Sequence, residues 1–225
     1  MKRLLILSAL LCVAIASQAQ ANSINAGDFE IYGDIVPGSL TISAPNSFAG
    51  PSNDAWTVTS GSVIWANEFF WVPPVFASNY ATVDLDGNSP GSIQQSFSTV
   101  PGQSYTVTFA LSGVPGNGLG TNSLNASAGS IIDMPFSYTL TSANRYSNML
   151  YAPESFTFQA TGPTTTLTFA STDPSSSAWY GPVVGDVNVD STPALSVPEP
   201  SDMLFLVPGL VGLVSVRRRL KKQAE

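Results

Sequence analysis

Tyr105-Thr106-Val107-Thr108-Phe109-Ala110-Leu111 is the stretch on which the fold class turns. Its odd positions are apolar and its even positions small or polar, the period of two that belongs to a half-buried strand. Pro101-Gly102 before it and Ser112-Gly113 after it are turn signals. Phe156-Thr157-Phe158-Gln159-Ala160 repeats the pattern, and Thr164 to Phe169 does so with Leu167 and Phe169 inward. Ile93 to Phe97, Ala81 to Leu85 and Val183 to Val189 are further strand candidates. Thr, Ser, Val, Phe, Tyr, Gly and Pro are abundant between the chain ends and helix formers scarce, and no window of helical length there keeps a 3.6 period. Short strands punctuated by Gly and Pro predict an all-β domain, a two-layer antiparallel sandwich.

The ends read differently. Lys2 and Arg3 precede the apolar run Leu4 to Ile15, and Ala19-Gln20-Ala21 offers a small-residue cleavage point, so residues 1–21 are expected to be a signal peptide. The only cysteine, Cys12, lies in that segment, with Leu11 before it where a lipoprotein signal needs a small residue. The exported domain, 22–190, is therefore expected to lack disulfides. Residues 191–196 read as a linker. At the other end Val197-Pro198-Glu199-Pro200-Ser201 is followed by the apolar run Met203 to Val216 and by Arg217, Arg218, Arg219, Lys221 and Lys222. A helix through that run would reach about 21 Å at ~1.5 Å per residue, short of the roughly 30 Å hydrocarbon layer, so it suits a short, transient membrane stop.

Charge narrows the function. Between Asn22 and Ser196 the chain carries twelve acids and one base, Arg145, which is about −11 on ordinary side-chain pKa values. Such a surface repels phosphate backbones and excludes nucleic acid as a partner. Basic residues at both ends and almost none between obey the positive-inside rule, with the middle exported. No histidine occurs in the chain, and no lysine or cysteine lies between Asn22 and Ser196, so histidine-based nucleophilic catalysis and zinc chemistry lack their ligands and bases. Gly87-Asn88-Ser89-Pro90-Gly91 matches a hydrolase elbow in form, but Pro90 has no N–H to offer an oxyanion. A glycosidase needs only two carboxylates, yet no pair is singled out. The expectation is a non-enzyme.

Two loops and one acidic run complete the residue-level reading. Gly113 to Gly129 is rich in small residues and reads as a long mobile connection. In Asp84-Leu85-Asp86-Gly87-Asn88 no closing Glu follows, so an EF-hand is ruled out. Leu85 alternates inward with Val83, which predicts that Asp84 and Asp86 face water. Trp65, Phe69, Phe70 and Trp71 cluster around Glu68 just before Val72-Pro73-Pro74. Rings beside carboxylates suit sugars, whose C–H faces stack while hydroxyls donate to the acid. Trp65, Glu68, Phe70 and Trp71 are thus the candidate carbohydrate-binding set, with Trp179 and Tyr180 as a second aromatic pair; the competing reading is that these rings are core.

The tail, Pro198-Glu199-Pro200 with its apolar run and basic end, resembles the PEP-CTERM sorting signal (197–225). The resemblance implies an exosortase-type membrane protease as partner, removal of the tail and delivery to the cell surface or extracellular matrix; an ordinary tail anchor is the other reading. Asn79 to Gly87, Pro90 to Phe97, Pro101 to Tyr105 and Phe109 to Gly113, flanked by Asn25 to Glu30 and Tyr180 to Val187, are similar to the choice-of-anchor C family of exported domains. That resemblance implies a jelly-roll sandwich of galactose-binding-like type, associated with extracellular polysaccharide. A purely structural or protein-adhesion module is the alternative. Related sandwiches hold a structural Ca²⁺ between first and last strands, and the matching positions are Glu30 and Asp186. The chain departs from the family pattern at Gly185, where an acid or amide is common, and at Val63-Ile64.

Overall fold

The computed structural model describes residues 24, 27–29, 38–48, 55–74, 81–116, 118–174 and 178–192. The signal peptide, Glu30, nearly all of the linker and the sorting tail with Pro198, Glu199 and Pro200 lie outside the described residues. The chain divides into two compact units, Met1–Ser191 and Thr192–Glu225. Among the described residues no helix is long and apolar enough to cross a membrane.

The regular structure among the described residues of the first unit is all β. Its strands are β1 (Ser39–Ser43), β2 (Ser47–Phe48), β3 (Trp56–Ser60), β4 (Ser62–Asn67), β5 (Ala81–Asp84), β6 (Ser92–Ser98), β7 (Ser104–Gly113), β8 (Thr121–Ala128), β9 (Ile131–Thr139), β10 (Ala152–Gln159), β11 (Thr164–Ser171) and β12 (Pro182–Ser191). They form two six-stranded antiparallel sheets, ordered β1-β4-β5-β12-β7-β10 in sheet A and β2-β3-β6-β11-β8-β9 in sheet B. All six strand runs expected from alternation are strands.

The core fills the space between the sheets, as the period of two requires. Sheet A contributes Val63, Trp65, Val83, Val107, Phe109, Leu111, Val184 and Val189; sheet B contributes Trp56, Val58, Ile93, Leu124, Leu167 and Phe169. Aromatic rings interlock at its centre, with Phe29 against Trp56 at 5.1 Å and Phe109 edge-on to Phe169 at 5.0 Å.

One expectation fails for an identifiable reason. Gly113 to Gly129 is not a continuous loop, because Thr121–Ala128 is strand β8. Its inward positions are Asn122, Leu124, Ala126 and Ala128, which alternate with exposed polar residues but carry only one large apolar side chain. Strand β9 runs through Pro135, and β10 through Pro153. Each is the outermost strand of its sheet, the position where a missing N–H is tolerated.

Candidate functional site

The outer face of sheet A is roofed. Cross-strand register puts Ala66 opposite Thr82, Val183 opposite both Asp84 and Ser112, and Gly185 opposite Ala110, all pointing away from the core. Two loops cover the middle of this face, residues 68–74 after β4 and 140–151 before β10. Trp71 and Met149 pack from the loops onto Ala66 and Val183, with Tyr151 and Tyr180 alongside. The Val72 N–H donates to the Tyr146 carbonyl at 2.9 Å, which joins the two loops. The Ser112 hydroxyl donates to the Met149 carbonyl at 2.6 Å and the Trp71 indole N–H to Thr82 Oγ1 at 2.6 Å, which fasten them to β7 and β5. Asn144 braces the second loop from within, donating through Nδ2 to Tyr138 Oη and to the Met149 carbonyl.

Beside this roof a cleft of about 410 Å³ opens over β7, β10 and β12. Pro74, Tyr151 and Pro153 supply apolar walls; Thr108, Ser155, Glu154 and Asp186 supply polar groups. Its size and mixed lining are those of a small-ligand site. Asp186 sits where β12 slips in register against β7, between Gly185 and Asn188, and has φ +48°. A bulge of this kind re-aims a side chain and is costly for a residue other than glycine. The Asn188 amide secures it, donating to the Asp186 carbonyl at 3.2 Å. Gly185, the departure from the family pattern, has a structural cause: a Cβ there would lie 2.7 Å from Thr82 Cγ2 and 3.1 Å from Pro74 Cγ. Losing that side chain lets the Pro74 wall lie on the strand. Burial pushes the Tyr151 hydroxyl above its ordinary pKa, with the Thr82 hydroxyl pulling it partly back, so Tyr151 enters the site as a neutral phenol.

The expected aromatic set is split by the sheet. Trp65 faces the inner core, 4% exposed, and its indole N–H donates to the Phe29 carbonyl at 2.8 Å. Trp71 lies on the opposite face, 2% exposed. Adjacent runs of a strand and its following loop place neighbouring aromatics on either side, so Trp65 and Trp71 do not share a site, and Trp65 drops out of the carbohydrate-binding set. Phe70 remains: its ring lies 5.0 Å from that of Trp71 and 6.1 Å from that of Tyr146, while Trp71 and Tyr146 stack at 6.3 Å. Glu68 is half-buried in the same loop, with Oε2 enclosed and without a hydrogen-bond partner. Phe70 and Tyr146 are each more than two-fifths exposed, with Trp71 as their buried footing. Tyr146 was missed in the sequence because it lies about 75 residues from Phe70 and Trp71; the Val72 to Tyr146 bond brings it into place. Tyr180 adjoins it, since a Cβ at Gly116 would touch both Tyr146 Oη and the Tyr180 ring at 3.1 Å.

Asp84 and Asp86 correct the remaining expectation. Both are fully buried instead of facing water. Asp84 is on the outer face of sheet A as alternation requires, but β12 and the Trp179-Tyr180-Gly181 segment cover it: the Gly181 N–H donates to Asp84 Oδ1 at 3.1 Å, as does the Asp86 N–H at 2.9 Å. Burial raises the Asp84 pKa well above its ordinary value, with the Asp86 and Asp173 charges adding to the rise and the two N–H donors opposing it. Burial also lifts Asp86 to about 6, opposed by the Ser171 hydroxyl and assisted by Asp173.

The fold is a two-sheet β-sandwich that carries, on the outer face of one sheet, a cleft and a separate group of exposed aromatic rings. Residues 22–190 match the family DUF642, described as a protein of unknown function, and the chain belongs to that family. No curated protein matches it. Among solved structures it is similar to the CBM22-1 xylan-binding domain of Paenibacillus barcinonensis, at 11% identity and TM-score 0.41 over 71% of this chain and 99% of that one. It is similar to a Stig cyclase of Fischerella sp. TAU, at 14% identity and TM-score 0.43 over 78% of this chain and 100% of that one. A family GH115 4-O-methyl-alpha-glucuronidase with specificity for decorated arabinogalactans matches at 12% identity and TM-score 0.37; the alignment covers 52% of this chain, which spans 15% of that protein.

Proposed function

We propose that the chain is an exported, non-enzymatic sandwich of galactose-binding-like jelly-roll type that binds uncharged polysaccharide on the outer face of sheet A. The observation that carries this is the exposed Phe70 and Tyr146 pair, 6.1 Å between centroids, on the same roofed face as a cleft bearing Asp186, Ser155 and Thr108. A pyranose can lay its C–H face on the rings and give its hydroxyls to carboxylate and hydroxyl acceptors. The strong excess of acids over bases in 22–196 argues for a neutral glycan, since an acidic one would be repelled. A binding role fits the carboxylates as well. Asp84 and Asp86, the two aspartates whose pKa is raised, are 0% exposed and so are closed to a substrate at the surface.

Export through residues 1–21, recognition of Pro198-Glu199-Pro200 by an exosortase-type protease and residence at the cell surface or in the matrix belong to the same proposal, supported by the residue pattern of the two ends. The test is a glycan array probed with the full chain and with a Phe70→Ala/Tyr146→Ala variant. Binding to neutral glycans that falls at least about tenfold in the variant is expected, the loss of stacking worth about 1.4 kcal/mol. A blank array, or binding indifferent to both rings, overturns the reading in favour of an adhesion module. Mass spectrometry of the exported product reads where the tail ends; an uncut tail removes the sorting step.

A further inference from the structure

Near the end of β5 two buried carboxyls lack hydrogen bonds for most of their oxygens, whereas Asp173 has both of its own committed. Asp173 Oδ1 accepts the Ser123 N–H at 2.8 Å, and Asp173 Oδ2 accepts the Asn122 amide at 2.8 Å. Asp84 Oδ1 has its two backbone donors. That leaves Asp84 Oδ2 and both oxygens of Asp86 enclosed and without a hydrogen-bond partner, on side chains that are 0% exposed. The two carboxyls are neighbours: a Cβ placed on Gly181 would sit 2.5 Å from Asp84 Oδ1 and 2.5 Å from Asp86 Cγ, so both are held against the same glycine.

No base answers them. Arg145 is the one lysine or arginine among the described residues, and its Nη1 donates to the Ser142 and Asn144 carbonyls. Buried carboxylates without a base are either protonated or bound to a cation. Among the described residues no group of three or more His, Cys, Asp or Glu side chains is gathered to hold a metal. A site here is therefore a carboxylate pair completed by neutral oxygens. Neutral oxygens are close at hand: the carbonyls of Asp86 and Gly87 converge on one Trp179 N–H at 2.9 Å, in the segment whose Gly181 N–H binds Asp84.

We propose that Asp84 and Asp86 bind a calcium ion that pins the Trp179-Tyr180-Gly181 segment to the end of β5. Calcium fits better than magnesium, because the pair is sealed from water and magnesium gives up its hydration shell reluctantly. The site is separate from the cleft, where Asp186 lies, and holds whether or not the cleft binds sugar.

The experiment follows thermal unfolding of the purified full chain at neutral pH in chelator and then with rising CaCl₂ or MgCl₂. Calcium is expected to raise Tm, by roughly 5–10 °C at a hundredfold excess over its Kd, with magnesium much weaker. Asp84→Asn/Asp86→Asn is expected to abolish that response and Asp186→Asn to keep it. No calcium response in the parent chain means the carboxyls hold protons and overturns the proposal, as does a response that survives in the double variant or vanishes in Asp186→Asn. Should the double variant fail to fold, terbium luminescence excited through tryptophan decides. Emission that is lost in Trp179→Phe supports the site; emission that is absent, or unchanged in Trp179→Phe, sinks it.

Discussion

The two sheets have the same inner chemistry and opposite outer faces. Outside sheet B the side chains are hydroxyls and amides in the open: Ser47 pairs with Thr57, Ser96 with Thr166 and Thr121 with Thr139, each through a cross-strand bond of 2.8–3.0 Å on an exposed surface. Outside sheet A, Thr82 and Ser112 are 0% exposed beneath two loops that bring Trp71 and Met149 over them, and Asp84 is 0% exposed beneath the Trp179-Tyr180-Gly181 segment. An exposed polar face makes no demand on the rest of the chain. A buried polar face must find a partner for each atom, and the loops that roof it are where aromatic rings, a cleft and unanswered carboxylates accumulate. Function is therefore read from sheet A.

The contrast breaks most sharply if the roof is removed. Trp71→Ala strips a fully enclosed indole from Ala66 and Val183 and orphans Thr82 Oγ1. A loss of about 3–5 kcal/mol in urea unfolding is expected, the cost of a large-to-small change in a packed interior. A loss no larger than that of a surface change would mean the loops merely rest on the sheet.

Acid should sharpen it. In chelator, Asp86 keeps its proton in the folded state up to about pH 6, above the ordinary value near 3.9 of an unfolded aspartate, and burial raises Asp84 as well. The folded chain binds more protons than the unfolded one, so this stability is fully present below about pH 4 and is lost as pH rises through 6. Tm in chelator should fall across that window, by an amount worth roughly 2–3 kcal/mol for a two-unit shift of one group. The Asp86→Asn chain should show a flatter profile. A Tm that climbs from pH 4 to 7 would show the pair to be hydrated.

Gly185→Ala tests the wall of the cleft. The added Cβ meets Thr82 Cγ2 and Pro74, so a cost of about 1–3 kcal/mol is expected, together with weaker glycan binding as Pro74 is displaced. Full affinity in a destabilised chain would place the sugar away from that wall.

How much of this the residues disclose depends on what each position needs. The inner faces are legible because alternation of Val, Leu, Phe and Tyr is strong, as in β7 and β10, and needs no partner to be recognised. Strand β8 is hidden because Ala and Asn make a weak alternation. Asp84 and Asp86 misread for a different reason: alternation tells that Asp84 points out of sheet A, but whether outward means water depends on a segment a hundred residues further on. Trp65 and Trp71 likewise look like one cluster until the strand ends between them and the loop folds back over the other face. Long-range cover is a property of topology, and local pattern has no access to it.

The smallest effect is the control for the whole comparison. Ser96→Ala removes one hydroxyl of an exposed pair, 2.8 Å from Thr166 Oγ1, on the open face of sheet B. Water replaces the lost partner, since neither oxygen is enclosed, and cross-strand pairs of this kind contribute only about 0.2–1 kcal/mol. Unfolding free energy should therefore move by no more than about 0.5 kcal/mol. Glycan binding and the calcium response should both stay at parental levels. If Ser96→Ala instead weakened glycan binding as much as loss of Phe70 and Tyr146, the hydroxyl face of sheet B would be the sugar platform, and the roof over sheet A would be structural cover for its buried carboxylates.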